Sequence, residues 1–99
     1  MLGEVPVGPD HPTLFMPEIG LYFGRDVGAA RERIQLVKDA GFDVIKGEVA
    51  LTAEIVLDDG FIYEYETHHG RRARPYREII EELVMPMETW TALYRACHD

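Results

Sequence analysis

The chain has 99 residues, of which 46% are hydrophobic and 28% are charged, and its formal net charge is −8. This balance is typical of one small folded domain and excludes a disordered chain. The negative charge disfavours binding to nucleic acid or to an anionic membrane, because its long-range field repels phosphate.

The cysteine content and the N-terminus bear on the cellular compartment. Cys97 is the single cysteine, so no intrachain disulfide can form. The first residues lack the basic start and continuous apolar run of a signal peptide. No segment has the roughly 18 consecutive apolar residues that a membrane span needs. We therefore expect a cytoplasmic protein with neither a nucleic-acid partner nor a membrane partner.

Residues 1–13 contain prolines at regular spacing, at positions 6, 9 and 12. Proline has no amide donor and disfavours a helix at the residue before it. We expect an extended N-terminal arm here, ahead of a single domain at residues 14–99.

A strand–helix–strand pattern opens that domain. The apolar run 14–20 predicts a buried strand, and residues 42–46 predict a second one. Between them, residues 26–40 carry an apolar stripe at helical spacing. Asp26 suits the N-cap of this helix, and Gly41 suits the left-handed position that ends it. A helix between two strands indicates that the strands pair in parallel.

A β-hairpin is predicted after the second strand. The β-prone runs 53–57 and 61–66 flank Asp58-Asp59-Gly60, and Asp-Gly between such runs is a strong turn signal. Residues 68–74 then form a polar loop. Tyr63 and Tyr65 on the second arm are interpreted as packing residues.

Two helices are predicted in the remaining residues. Pro75 suits the first turn of one helix, and Pro86 must end or kink it and can start another. The second helix has an apolar stripe at helical spacing. Its members, Trp90, Leu93, Tyr94 and Cys97, are expected to face the core.

Polar clusters in the predicted loop offer little specific chemistry. His68 and His69 are adjacent without cysteines or a carboxylate set nearby, so exposed histidines are expected rather than metal ligands. Four arginines could hold an anion, although a solvated loop and helix start is the commoner outcome. These are Arg71, Arg72, Arg74 and Arg77.

The stretch from Glu18 to Glu48 resembles the N-terminal signature of the sialic acid synthase family. The corresponding segments, spaced without a gap, are Glu18-Ile19-Gly20, then Lys38-Asp39-Ala40-Gly41-Phe42-Asp43, then Ile45-Lys46-Gly47-Glu48. Residues 76–82 and 85–90 are similar to the family's helical segment before the third barrel strand. The likeness thus covers about residues 14–99.

This resemblance implies a fold and a function. The fold is α/β, a partial TIM barrel containing the first two β/α units with parallel strands and a β-hairpin insertion after the second strand. The family condenses phosphoenolpyruvate with an N-acetylated amino sugar. Glu18 would be catalytic, contacting the sugar and assisting proton movement, while Lys46 and Glu48 would bind substrate. A divalent metal, Mn or Mg, would be held by histidines of later strands, so it is expected only in a completed barrel.

Three departures from the family pattern change the chemistry. The family's Asn-His pair is Tyr22-Phe23 here, and its glycine before Asp26 is displaced to Gly24. Its Phe-Gln pair is Gly47-Glu48, so a carboxylate that would repel an anion replaces an amide.

The short length of the chain leaves three hypotheses open for its fold and function. A complete (β/α)₈ barrel needs about 250 residues, so two strands would leave edges exposed. The chain could be the N-terminal segment of a synthase-like enzyme, inactive alone and completed by another chain. It could instead be a non-catalytic, self-associating binding domain derived from that fold. A third hypothesis, an unrelated α+β domain, predicts antiparallel pairing throughout.

Overall fold

The chain folds as a mixed α/β protein, which a computed structural model describes over residues 1–21 and 23–99. Its elements in order are β1 (Glu18–Gly20), α1 (Val27–Asp39), β2 (Lys46–Gly47), β3 (Ile62–Thr67), β4 (Gly70–Pro75), α2 (Tyr76–Glu81) and α3 (Met87–His98). Strands β1 and β2 form one two-stranded sheet, and β3 and β4 form another. No helix within the described ranges is long and apolar enough to cross a membrane.

The first sheet is parallel, as the strand–helix–strand pattern predicts. The hypothesis of antiparallel pairing throughout is therefore wrong. Both strands are shorter than predicted. Pro17 has no amide donor, and the hydrogen bonds between β1 and β2 begin at its carbonyl. The Lys46 amide donates to the Pro17 carbonyl at 2.8 Å, and the Glu48 amide donates to the Gly20 carbonyl at 3.3 Å.

Helix α1 begins and ends where its sequence signals indicate. The Asp26 side chain accepts a hydrogen bond from the Ala29 amide at 3.0 Å, which satisfies one free donor of the first turn. Gly41 has a φ of 83° just after the helix, a conformation that costs glycine little. The Phe42 amide then returns to the Val37 carbonyl at 3.3 Å, completing the helix stop.

The hairpin forms at different residues from those predicted. Residues 53–55 make a 3-10 turn because the Thr52 hydroxyl caps the Glu54 amide at 3.3 Å. Residues 58–60 form a bend in which the Asp59 carboxylate accepts from the Phe61 amide, so they lead into β3 rather than closing a hairpin. Residues 68–74, predicted as a loop, instead supply the turn and most of β4.

Thr67 and Gly70 close the true hairpin turn. The Thr67 hydroxyl accepts from the His69 amide at 3.1 Å and donates to the Gly70 carbonyl at 3.0 Å. Gly70 has a φ of 102°, which disfavours any residue with a Cβ. Strand β4 runs back along β3 over six antiparallel residue pairs, from Thr67↔Gly70 to Ile62↔Pro75.

The two prolines divide the C-terminal region into helices as predicted. Pro75 precedes α2, and Pro86 separates α2 from α3. In the α3 stripe, Trp90 and Leu93 are buried. The expectation that Tyr94 faces the core is wrong, because its side chain is 66% exposed and its ring lies beside His98 on the same helix.

The N-terminal arm lies outside the core. Most residues between 1 and 13 are exposed, and Leu2 and Val5 exchange two backbone hydrogen bonds of 2.8 and 3.0 Å in a tight turn. The core sits where the three helices meet the segment after β1. Its buried members are Leu21, Phe23, Ala30, Ile34, Ala53, Ile80, Leu83, Met85, Trp90 and Leu93.

Two residues of α1 give a matched test of this packing. Ile34 is 3% exposed and Leu36 is 67% exposed. Replacing Ile34 by alanine is expected to lower the free energy of unfolding by about 2–5 kcal/mol, because it leaves a cavity. Leu36→Ala on the opposite face should change it by less than about 0.5 kcal/mol. Urea unfolding followed by circular dichroism measures both, and equal losses would contradict the assigned core face.

Candidate functional site

Glu18 and Lys46 lie side by side on neighbouring parallel strands. They are direct partners in the register of β1 and β2, so their side chains share one face of the sheet. The Lys46 ammonium donates to a Glu18 carboxylate oxygen at 2.5 Å. Glu18 is the first residue of β1 and Lys46 is the first residue of β2, and their side chains remain about half exposed, at 43% and 52% respectively. The parallel fold thus brings these two predicted site residues to a common rim.

The Glu18 carboxylate is held at both oxygens. Its second oxygen accepts a hydrogen bond from the Gly20 amide at 3.1 Å. A carboxylate tied at two points loses rotational freedom, so it is oriented before any ligand arrives. Free lone pairs remain on both oxygens for a hydroxyl donor.

Glu48, the third predicted site residue, follows the end of β2 and lines the edge of a cavity beside Ile45. The charge of Glu48 is one of the causes that raise the pKa of Lys46. Two carboxylates and one ammonium therefore give this rim a local charge of −1 + 1 − 1 = −1 when all three are ionised.

Glu18 and Lys46 shift each other's pKa. The hydrogen bond from Lys46 is the main cause that lowers the pKa of Glu18 below its ordinary value of 4.5. The same hydrogen bond is the main cause that raises the pKa of Lys46 above 10.5. The ion pair is intact between these two pKa values, and it is lost when the pH falls through the first or rises through the second.

A titration of Glu18 tests this pairing. Replacing Lys46 by methionine removes the donor and the positive charge, so the pKa of Glu18 is expected to rise. Carbon-13 NMR of the glutamate carboxyl group measures the midpoint. Lys38→Met is the matched control, because the Lys38 ammonium donates to the Ala96 carbonyl in another part of the molecule. An unchanged Glu18 midpoint in Lys46→Met would contradict the pair.

The other face of the sheet is apolar and packs toward the helices. Ile19 and Ile45 lie against the core, and a cavity of about 200 Å³ opens beside them. Val49 and Tyr94 at its mouth are 59% and 66% exposed. Burial raises the pKa of the Cys97 thiol in its wall, and that thiol donates to the Leu93 carbonyl at 3.4 Å, so it is protonated at neutral pH.

The remaining polar candidates do not gather into a site. His68 and His69 lie exposed in the hairpin turn. Of the four arginines considered, three form ion pairs with carboxylates instead of a shared anion pocket: Arg71 with Glu64 at 3.3 Å, Arg74 with Glu82 at 2.6 Å and Arg77 with Glu81 at 3.8 Å. Across residues 1–21 and 23–99, no three His, Cys, Asp or Glu side chains are arranged to hold a metal ion.

The departures from the family pattern have different structural outcomes. Tyr22 lies outside the described residues. Phe23 is buried and meets Trp90 edge to face, with ring centroids 6.0 Å apart. Gly47 faces Ile19, and a Cβ at position 47 would lie 3.5 Å from an Ile19 side-chain carbon, an ordinary contact.

Two polar arrangements were missed by sequence reasoning. The Arg25 guanidinium donates to the carbonyls of Glu81 and Val84, almost sixty residues away. The Arg74–Glu82 pair joins β4 to the residue that follows α2. Neither spacing belongs to a helix or strand repeat, so no local signal could have found them.

No protein-family model, curated protein or solved structure matches this chain.

Proposed function

We propose that this chain supplies the first two β/α units of a sialic-acid-synthase-like TIM barrel, which condenses phosphoenolpyruvate with an N-acetylated amino sugar. The observation that supports the proposal is the Glu18–Lys46 pair on adjacent parallel strands. Catalytic groups of TIM barrels lie at the carboxyl ends of their strands. Glu18 opens β1 and Lys46 opens β2, so each lies only one or two residues before the carboxyl end of its short strand, and Glu18 also borders α1 next to Leu36.

The two side chains have complementary roles in this proposal. Glu18 accepts a hydrogen bond from a hydroxyl of the sugar and can receive its proton. Lys46 has three N–H donors and uses one on Glu18, so two remain for a carboxylate or phosphate oxygen of phosphoenolpyruvate. Glu48 lies toward the same ligand, where its carboxylate can accept from a hydroxyl but opposes an anion.

The same geometry explains why the chain is proposed to be inactive alone. The local charge of −1 cannot stabilise phosphoenolpyruvate, so further cations must come from elsewhere. The described residues hold no three-ligand cluster of His, Cys, Asp or Glu, so the divalent metal that the resemblance implies would need ligands from the remaining strands. The chain is also more extended than a compact domain of its size: its radius of gyration is 16.3 Å, whereas a compact 100-residue domain has roughly 13 Å.

Complementation tests the proposal. The chain is mixed with a second chain that carries the remaining barrel strands, and phosphate release from phosphoenolpyruvate is assayed with N-acetylated amino sugars. Activity that appears only in the mixture supports the proposal. Phosphate release no greater than that of either chain alone would contradict it.

A second function, that of a self-associating binding domain, is favoured by the apolar surface beside β2. Within the described ranges β2 pairs only with β1, so its other edge offers unpaired backbone groups. Val49 and Tyr94 stand exposed next to that edge, beside the apolar cavity. Apolar side chains at an open strand edge are typical of a surface that pairs with another copy or another chain.

Sedimentation velocity measures the oligomeric state, which the second function predicts to be larger than a monomer. A homo-oligomer that dissociates in Val49→Glu and Tyr94→Glu, while Leu36→Glu on the exposed side of α1 leaves it intact, supports self-association through this surface. A folded monomer across the concentration range counts against it. The outcome is independent of the phosphate assay, so the two functions can be separated.

A further inference from the structure

A second cavity lies between the hairpin and α2, away from the Glu18–Lys46 pair. Its volume is about 420 Å³, within the roughly 300–1,000 Å³ of small-molecule sites. The residues that line it are Gly24, Tyr63, Tyr65, Ile79, Glu82 and Leu83. The wall thus combines an apolar floor, two tyrosines and one carboxylate, which is the mixture that small-molecule sites use.

The two tyrosines supply the aromatic part of the wall. Tyr63 and Tyr65 are two residues apart on β3, so both side chains project from the same face. Their rings are stacked, with centroids 5.9 Å apart and planes inclined by 20°. The ring of Tyr76 supports Tyr63 from behind at 5.5 Å. Tyr63 is nevertheless 44% exposed, so much of its surface is free for a ligand.

Glu82 supplies a fixed acceptor beside that wall. Both of its carboxylate oxygens accept from the Arg74 guanidinium, at 2.6 and 3.0 Å. This bidentate pairing fixes the orientation of the carboxylate. Arg74 also lowers the pKa of Glu82, which keeps it ionised at neutral pH. Each oxygen has a second lone pair, so Glu82 can still accept hydrogen bonds from ligand hydroxyls.

We propose that the cavity binds a neutral pyranose. The axial C–H groups on one face of such a ring carry slight positive charge and pack against the exposed aromatic surface of Tyr63. Its hydroxyls donate to the oriented Glu82 carboxylate. Phosphorylated or carboxylated ligands are disfavoured, because the neighbouring Arg74 guanidinium is already paired with Glu82 and the chain has a net charge of −8. The proposal does not depend on the function of Glu18 and Lys46.

Titration by NMR tests the pyranose site on the whole chain. Methyl β-D-glucopyranoside and methyl N-acetyl-β-D-glucosaminide are the probes, and adenosine is the planar comparison ligand. Saturable shifts of amides in β3 and α2 are expected for at least one sugar. Tyr63→Leu keeps the bulk but removes the aromatic face, and it should weaken binding about tenfold. Glu82→Gln should weaken it to a similar degree, because hydrogen bonds to a charged acceptor are the stronger ones.

Matched variants separate the site from a general surface effect. Phe15→Ala removes an exposed aromatic ring from the segment before β1, and Glu32→Gln removes an exposed carboxylate from α1, so both should leave sugar binding unchanged. The same spectra report whether each variant is folded. Absence of saturable sugar shifts in the unmodified chain, equal affinity in folded Tyr63→Leu, or tighter binding of adenosine than of either sugar would each overturn the proposal.

Discussion

Replacing Trp90 by alanine is expected to lower the free energy of unfolding by about 3–5 kcal/mol. The side chain is only 8% exposed, and its ring packs edge to face on Phe23. The indole N–H also lies within hydrogen-bond distance of the Ala50 carbonyl, at 3.2 Å, and the Met85 carbonyl, at 3.1 Å. Alanine would leave a large cavity and two carbonyls without this donor.

A graded series separates these contributions. Trp90→Phe keeps most of the ring but loses the N–H, and an intermediate loss of about 1–3 kcal/mol is expected. Tyr94→Ala, one turn along the same helix, removes a ring that is 66% exposed and should cost far less. Urea unfolding is followed by far-ultraviolet circular dichroism rather than by tryptophan fluorescence, because the two Trp90 variants lack the single tryptophan. A Trp90→Ala protein within about 1 kcal/mol of the parent (roughly the average effect of any single substitution) would show that the core is not built around this residue.

In the completed barrel, Glu18→Gln is expected to lower kcat by about 100-fold or more, the scale of general acid–base catalysis. Glutamine preserves the shape of the side chain but cannot take a proton. Lys46→Met should act differently, raising KM for phosphoenolpyruvate because the ammonium contacts that anion in the proposed complex. Steady-state phosphate release by the complemented enzyme measures both constants.

Controls for these two variants come from charges elsewhere on the surface. Glu66→Gln, near the tip of the hairpin, and Arg31→Met, on the exposed side of α1, change the net charge by the same amounts. Both should retain parental kinetics. If all four variants lost activity equally, the effect would be one of overall charge or assembly, and the assigned roles of Glu18 and Lys46 would be wrong.

The elements with local signals could be predicted from the sequence. The N-cap Asp26 and the stop at Gly41 set both ends of α1, and Pro86 separates α2 from α3. These signals are local because they satisfy, or remove, backbone hydrogen bonds within one turn. The parallel pairing of β1 and β2 follows from the helix between them, and it accounts for the meeting of Glu18 and Lys46 at one rim.

The hairpin could not be placed from local signals alone. The Asp58-Asp59-Gly60 sequence is suited to a turn, and a bend does form there. The segment before it is capped into a 3-10 turn by Thr52 and cannot pair with β3. Its place is taken by arginine-rich β4, which has little β propensity of its own. One of its arginines, Arg71, lies opposite Glu66 and forms an ion pair with Glu64 at 3.3 Å. Such cross-strand charge pairing becomes visible only once the register is known.

The Arg25 guanidinium joins two parts of the molecule that are distant in sequence. Arg25 holds a φ of 63°, and its side chain donates to the Glu81 and Val84 carbonyls. A single planar group thereby clamps the loop leaving β1 to the end of α2, the helix that carries the hairpin. Two backbone carbonyls near the end of α2 thus have their hydrogen-bond acceptor capacity satisfied by a residue of the loop between β1 and α1.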